Sequence, residues 1–535
     1  MTPEEWIAHD PDPLTAAELA ACDPGELAAR FARPLRFGTA GLRGPVRGGP
    51  DAMNLAVVLR ATWAVGQVLK DRGLTGSRVI VGRDARHGSA IFAVGAAEVF
   101  AAEGFSVELF ASPVPTPVVA FAVRHTGAAA GVQITASHNP PSDNGSKVYF
   151  DGGLQIVSPT DSAIESAMAA APFADQIART PVEPTDNGLV DRYIERTSSL
   201  RRSSGSVRVA LTPLHGVGGA VAVEALHRAG FGEVHTVGAQ FAPDPDFPTV
   251  AFPNPEEPGA ADALLRLADD VDADVAVALD PDADRCAIGI PTPEGWRMLS
   301  GDETGWLLGD YILSDTESPA TAVVASTVVS SRMLAAIAAH YGARHVETLT
   351  GFKWLARADA GMSGFTLVYA YEEAIGHCVD PAAVRDKDGI SAAVLACDLV
   401  AALKAHDRSV LDALDDLARR HGVHLGAAVS RPVADPDEAA SVMQRLRADP
   451  PERLAGLPAT TTDLLQRERP QRADVLVFSG GDPDMWARVV VRPSGTEPKL
   501  KFYLEAGCPA GEDLRRARER AGALRDELVA SVQRW

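Results

Sequence analysis

Ala273-Asp274-Val275-Ala276-Val277-Ala278-Leu279-Asp280-Pro281-Asp282-Ala283-Asp284-Arg285 runs from an apolar stretch straight into alternating aspartates. A short apolar run rich in valine, ending abruptly in polar residues, reads as a buried strand over 273–279. Open α/β sheets bind ligands beyond the carboxyl ends of such strands. Alternate side chains of an extended segment share a face, so Asp280, Asp282 and Asp284 are expected to converge on one point. Three unpaired carboxylates repel one another, and a single hard divalent cation, with magnesium favoured by compact oxygen ligation, is the natural compensation. A calcium EF-hand needs glycine and glutamate where Arg285 and Pro291 stand. A haloacid-dehalogenase phosphatase needs a hydroxyl or β-branched residue where Asp284 stands. A solvated acidic turn is the plain alternative.

Working outward, the strand is the third element of a pattern that occurs three times. In the first copy, strands are predicted at 78–81, 106–110 and 131–135, with a helix over 89–103. In the second, strands fall at 207–211, 233–237 and 273–279, with a helix over 220–229. The third has strands at 321–325, 345–348 and 366–369 and a helix over 331–340. Short apolar runs alternating with helices are the mark of parallel α/β units. The third strand of each copy is followed by an unusually polar loop: Thr135-Ala136-Ser137-His138-Asn139-Pro140, Asp280–Arg285, and Tyr371-Glu372-Glu373-Ala374-Ile375-Gly376-His377. Three equivalent loops suggest three α/β domains with mixed, mainly parallel sheets facing one cleft. Residues 1–36 read as amphipathic helix and loop, and 405–435 as a helix running into a Pro- and Asp-containing link. The last hundred residues mix helix (437–447 and from about 512) with strands (475–478, 488–491, 500–505), a C-terminal α+β domain. The expected domains are 1–205, 206–318, 319–432 and 433–535.

Ser137 follows a strand and precedes His138, Asn139 and two prolines. Serine is a poor nucleophile unless a base or a metal activates it. No Gly-x-Ser-x-Gly elbow surrounds it, so an esterase triad is not expected. Opposite a three-carboxylate metal site it could carry a phosphoryl group whose oxygen joins the coordination; an N-cap or turn is the ordinary role for such a serine. His138 could orient the loop or assist proton transfer. The stretch Arg492-Pro493-Ser494-Gly495-Thr496-Glu497-Pro498-Lys499 gathers a guanidinium, hydroxyls and a glycine amide, donors suited to a phosphate. Gly38-Thr39-Ala40-Gly41-Leu42-Arg43-Gly44 is a second glycine-rich basic loop, without the Gly-Lys-Ser/Thr ending of an ATP-binding loop. Lys147, Lys353 and Lys387 are further cations beside these loops.

The composition sets bounds. At 535 residues the chain exceeds one core, and its 46% apolar and 23% charged content is that of a globular protein. The net charge of −21 disfavours nonspecific binding to nucleic acid or membrane, so an anionic ligand needs a locally basic site. No apolar run is long enough to span a bilayer, the N-terminus lacks signal-peptide character, and five scattered cysteines lack CxxC spacing. A cytoplasmic location is expected, without zinc or a disulfide framework.

Taken in order, the loops at 38–44, 135–140, 280–285, 372–377 and 492–499 resemble those of the α-D-phosphohexomutase family, which includes phosphoglucomutases, phosphomannomutases and related phosphopentomutases. The resemblance covers nearly the whole chain and implies four domains around a central cleft. It implies phosphorylation of Ser137, with Mg²⁺ held by Ser137, Asp280, Asp282 and Asp284 and with Arg285 nearby. Arg43, His138 and Lys147 match positions beside the phosphoserine, and Lys387 one proposed to hold a general base. Thr39, Lys353, Glu372, Glu373 and His377 are implied in sugar binding, and Arg492, Ser494, Gly495, Thr496 and Lys501 in phosphate binding. The implied reaction interconverts sugar 1- and 6-phosphates of glucose or mannose through a sugar bisphosphate. Phosphopentomutase action on ribose or deoxyribose phosphates is the alternative; a phosphatase or a silent sugar-phosphate-binding regulator stands behind both. A phosphosugar is the implied small-molecule partner, for a monomer or a dimer. Ala374 stands where many hexose members carry serine. Together with Phe37–Gly41 and Thr350-Gly351-Phe352-Lys353 it resembles the branch of phosphoglucomutase-2 and phosphopentomutase-like enzymes.

Overall fold

The computed structural model describes all residues except 38–40, 187, 469, 495–498 and 512. It divides into two compact units. One comprises Met1–Leu299 with Ala374–Ala402, the other Ser300–Glu373 with Leu403–Trp535.

The first unit contains two mixed sheets of the same design. In the first, the parallel strands Arg78–Arg83, Ser106–Leu109 and Ala130–Ile134 place the first strand in the middle. The chain then turns back as Asp143–Phe150, antiparallel to Ala130–Ile134, and Leu42–Pro45 pairs beyond it. The second sheet repeats this order with Arg208–Thr212, Glu233–Thr236 and Val275–Leu279, followed by antiparallel Cys286–Thr292 and Gly295–Met298. The antiparallel returns follow each polar loop directly, and the apolar-run pattern of the sequence did not reveal them. Asp143–Phe150 has charged and polar residues where a core strand would alternate, because Asn144 and Lys147 are buried among polar partners.

In the second unit Ala322–Thr327 lies between Arg344–Thr348 and Thr366–Glu372, all parallel, the same central-first order. The C-terminal sheet is antiparallel, ordered Val423–Pro432, Lys499–Cys508, Trp486–Pro493, Leu476–Gly481, Leu457–Asp463, Arg453–Leu454. Helices Pro436–Ala448 and Leu514–Val532 cover it, burying Met443, Leu528 and Val532 against Phe478, Val489 and Phe502. The reading of 405–435 as helix and link is corrected here: helix Val410–His421 is followed by a ten-residue strand, Val423–Pro432, paired along its whole length with Lys499–Cys508. Glycine and alanine at 426–428 blunt the alternation that marks a strand, and the pairing compensates.

Each polar loop contains one non-glycine residue in the left-handed region: Ser137 (φ 52°), Ala283 (φ 55°) and Ile375 (φ 53°). Such a backbone costs about 1–2 kcal/mol per residue. Its recurrence at equivalent places is a three-dimensional signature of the repeat.

Candidate active site

In the first unit the serine loop and the aspartate loop meet. Ser137, 2% exposed, donates from Oγ to Asp280 Oδ2 at 2.7 Å. Its N–H donates to Thr135 Oγ1 at 2.9 Å, which holds the left-handed backbone in place. The aspartates do not form the extended segment expected from their alternation. Asp280 C=O accepts the Ala283 N–H at 2.8 Å, closing a turn, and Asp280 Oδ1 accepts the Arg285 N–H at 3.0 Å. The turn still brings one oxygen from each of Asp280, Asp282 and Asp284 within 4.8 Å of one another. Its tight seat depends on glycine: a Cβ at Gly216 would meet Pro281 Cα at 2.4 Å, and one at Gly389 would meet Arg285 O at 2.4 Å.

Lys147 reaches this cluster from the antiparallel strand, with Nζ 2.7 Å from Asp282 Oδ2 and 2.5 Å from Asp284 Oδ2. Burial opposes its charge, yet Asp282 and Asp284 hold its pKa above the usual lysine value. Burial, then the charges of Asp282 and Asp284, push Asp280 well above the ordinary carboxylate range. At Asp284 burial is outweighed by Lys147 and Lys387, and the carboxyl is held below that range.

Lys387 Nζ lies 3.4 Å from Asp284 Oδ2. Arg43 donates to Asn139 Oδ1 at 2.7 Å, bracing the serine loop. His138 Nδ1 is 3.2 Å from Ser137 Oγ; desolvation, then Arg285 and Arg43, keep this imidazole well below its usual pKa and hence neutral. Arg285 Nε lies 4.0 Å from Asp284 Oδ1. His377 sits fully buried in strand Gly376–Cys378, its pKa lowered to about 3 by burial, so its ring is enclosed rather than displayed.

The second unit holds the other candidates. Glu373 Oε2 accepts hydrogen bonds from Thr327 Oγ1 and Ser330 Oγ, both at 3.0 Å, so these hydroxyls fix it, and Glu372 closes strand Thr366–Glu372. Lys353 is 8% exposed at the start of helix Phe352–Leu355. Arg492 and Lys501 are direct cross-strand partners, and Ser494 N–H donates to Lys499 O at 2.8 Å to close their hairpin. Tyr503 is hydrogen-bonded to Arg492; burial and then Glu373 push its hydroxyl up to about 12. Thr39, Gly495 and Thr496 lie outside the described residues.

Sequence reasoning missed several residues that build the site. Thr116, which opens helix Thr116–Thr126, hydrogen-bonds Asp282 Oδ2 through Oγ1 and donates its N–H to Asp282 O at 2.9 Å. Tyr149 OH and Gln155 Nε2 donate to Asp386 Oδ2 at 2.8 and 2.7 Å, and Tyr193 OH donates to Asp388 Oδ1 at 2.6 Å. These bonds clamp the residues flanking Lys387. Asp84 and Arg86 lie behind the serine loop. Their signal was available, since Gly82-Arg83-Asp84-Ala85-Arg86 is a charged loop at the carboxyl end of a strand.

The donor set fits a hard cation. Asp282 Oδ1 and Asp284 Oδ1 are buried oxygens that accept no hydrogen bond among the described residues. Anionic oxygens so placed call for a positive partner, and an all-oxygen set of three carboxylates and a hydroxyl suits Mg²⁺.

Four family models match the chain in order. Three describe the phosphoglucomutase/phosphomannomutase alpha/beta/alpha domains I, II and III, at residues 34–175, 191–292 and 300–421; the fourth describes the C-terminal domain, at 435–522. A probable phosphomannomutase of Haemophilus influenzae is 39% identical over 494 residues, covering 90% of this chain and 98% of its own. A phosphopentomutase of Mus musculus is 31% identical over 603 residues, covering 99% and 93%. The crystal structure of a phosphoglucomutase/phosphomannomutase family protein from Burkholderia thailandensis shares the fold, with a TM-score of 0.68 at 21% identity over 90% of this chain and 97% of that one. Four consecutive domain matches and relatives spanning both chains lead to one conclusion: the protein belongs to the phosphoglucomutase/phosphomannomutase family of intramolecular phosphotransferases.

Proposed function

We propose that this phosphomutase moves a phosphoryl group between the 1- and 6-positions of glucose or mannose phosphates, with Ser137 as the phosphoryl carrier. The observation that carries the proposal is the 2.7 Å hydrogen bond from Ser137 Oγ to Asp280 within the buried aspartate cluster. Phosphorylated Ser137 transfers its phosphoryl group to a free hydroxyl of the bound monophosphate, and the hydroxyl proton is taken by Lys387 acting from its neutral amine form. The bisphosphate reorients, its other phosphate returns to Ser137, and the proton goes back to the sugar oxygen. Ser137, Asp280, Asp282 and Asp284 would hold Mg²⁺, which supplies Lewis-acid neutralisation of phosphoryl oxygens when bound. Lys147, Arg43 and Arg285 add fixed positive charge as negative charge spreads in the transition state. Arg492, Ser494, Gly495, Thr496 and Lys501 bind the phosphate that is not reacting, and Lys353, Glu372, Glu373 and Thr39 the sugar.

A second reading, phosphopentomutase action, is favoured by one observation: Ala374 offers no hydroxyl within the sugar loop. It is also the activity named for the mouse relative. Assays with glucose, mannose and ribose 1-phosphates, with Mg²⁺ and the matching bisphosphate, decide between them. Release of free phosphate without isomerised product would replace the mutase with a phosphatase. Ser137→Ala should abolish turnover while the fold persists; a near-normal rate in that variant sinks the carrier assignment.

A further inference from the structure

The serine loop makes few hydrogen bonds of its own, among them Asn139 N–H to Ala136 O at 3.1 Å and Asp143 N–H to Pro140 O at 3.0 Å. Pro140 and Pro141 lack N–H donors, while the carbonyls of residues 137–143 still need partners. One side chain serves four of them. The Arg86 guanidinium, 4% exposed for the residue, donates through Nη2 to Ser137 O and Asn139 O, each at 2.6 Å. Through Nη1 it donates to Pro140 O at 2.7 Å and Asp143 O at 3.1 Å.

Arg86 is itself fixed. Asp84, 1% exposed, accepts the Arg86 N–H at 2.9 Å and the Ser89 hydroxyl at 2.6 Å through Oδ1, and its Oδ2 lies 3.5 Å from Arg86 Nε. The guanidinium carbon sits 4.9 Å from the centre of the Phe247 ring, which closes its open face. Asn144, at the far end of the loop, donates to Ser89 Oγ at 2.9 Å and to His87 O at 2.8 Å. Both ends of the serine loop are therefore tied to the 84–89 segment.

We propose that Arg86 is the positioning residue of the phosphoryl carrier: by gripping four carbonyls of the loop, Ser137's own among them, it holds the strained backbone that aims Oγ at Asp280. A left-handed serine persists only where its surroundings over-determine it; Thr135 holds the Ser137 N–H, and Arg86 holds its carbonyl together with three others of the loop. Lysine cannot replace it. An ammonium is a compact point charge that lacks the planar fork needed to bridge separated oxygens. The proposal rests on the mutase reading only in taking Ser137 as the reacting residue.

The test compares Arg86→Lys and Asp84→Asn with the unaltered full-length protein. We expect Arg86→Lys to lower kcat by about 100-fold, the effect of a displacement near 1 Å. KM for the sugar phosphate should stay within about twofold, because groups that bind ground and transition states alike are untouched. Asp84→Asn should lower kcat less, with the same unchanged KM. Hydrogen exchange of the peptide spanning 136–144 should quicken by about tenfold or more in both, as a loosened loop opens locally. A wild-type kcat in Arg86→Lys overturns the proposal, as does a rise in KM matching the fall in kcat. If Arg86→Lys does not fold, exchange in Asp84→Asn decides. If the unaltered protein turns over no sugar phosphate, the mutase reading fails by itself, and unchanged exchange at 136–144 in the variants would still overturn the role of Arg86.

Discussion

Replacing Lys147 with methionine tests the buried charge balance and the metal site together. Lys147 is 2% exposed, and its ammonium touches Asp282 and Asp284, both fully buried. Methionine keeps most of the volume and removes the charge, leaving two carboxylates whose nearest cation is gone. Removing one partner of a buried pair costs about 3–5 kcal/mol. At roughly 2 °C per kcal/mol for a body of this size, the melting midpoint should fall by about 6–10 °C in metal-free buffer. Mg²⁺ should then restore more in the variant than in the unaltered protein, because the Lys147 ammonium no longer competes for the Asp282 and Asp284 oxygens. Saturation at about a hundred times the dissociation constant stabilises by about 2.7 kcal/mol. The assay is thermal unfolding of both proteins in chelator and across a Mg²⁺ titration. A variant as stable as the parent without metal would refute the charge argument. A drop in midpoint that Mg²⁺ leaves untouched would refute the cation site.

Three further outcomes follow from the geometry. Thr116→Val removes the hydroxyl that hydrogen-bonds Asp282; Mg²⁺ affinity by calorimetry should fall about tenfold, the usual effect of losing such support, and an unchanged affinity would show that the bond does not orient Asp282. Asp302 is pushed up to about 7, by burial and by the charge of Glu505, while its Oδ1 accepts the Ser331 N–H and the Tyr371 hydroxyl, each at 2.8 Å. A carboxyl raised on folding loses stability as pH climbs from its unfolded value to its folded one, at about 1.4 kcal/mol per pH unit. The midpoint of Asp302→Asn relative to the parent should therefore rise between pH 4 and about 7 and level off above; a pH-independent difference contradicts the shift. Arg492→Ala should raise KM by about tenfold or more while kcat changes little, as expected of a group that holds the phosphate uniformly; an unchanged KM removes Arg492 from the phosphate site.

Much of this protein was legible because repetition amplifies weak signals. One polar loop after one strand means little, but three at equivalent places, with strands and helices of matching length before them, defined the α/β repeats. The antiparallel returns stayed hidden because a strand such as Asp143–Phe150 carries its function on its buried face: Lys147 and Asn144 stand where an apolar residue would mark the strand. Val423–Pro432 escaped because small residues carry little periodic signal. Among site residues, the carboxylates, the serine and the lysines announced themselves by type and place. Thr116, Tyr149 and Tyr193 did not, since each acts on a partner distant in sequence and has an ordinary local setting.

The chain order of residue types was enough to determine the repeat, the three aspartates after the third strand of the second copy and the serine at the equivalent place in the first. These are local facts, written within a few residues of each other. Only the tertiary structure decided that Ser137 Oγ stands 2.7 Å from Asp280 and that Lys147 shares Asp282 and Asp284. It also decided that the aspartates converge through a turn rather than an extended segment. Distances between groups well over a hundred residues apart come from how sheets and loops pack, and packing is set by the whole chain at once.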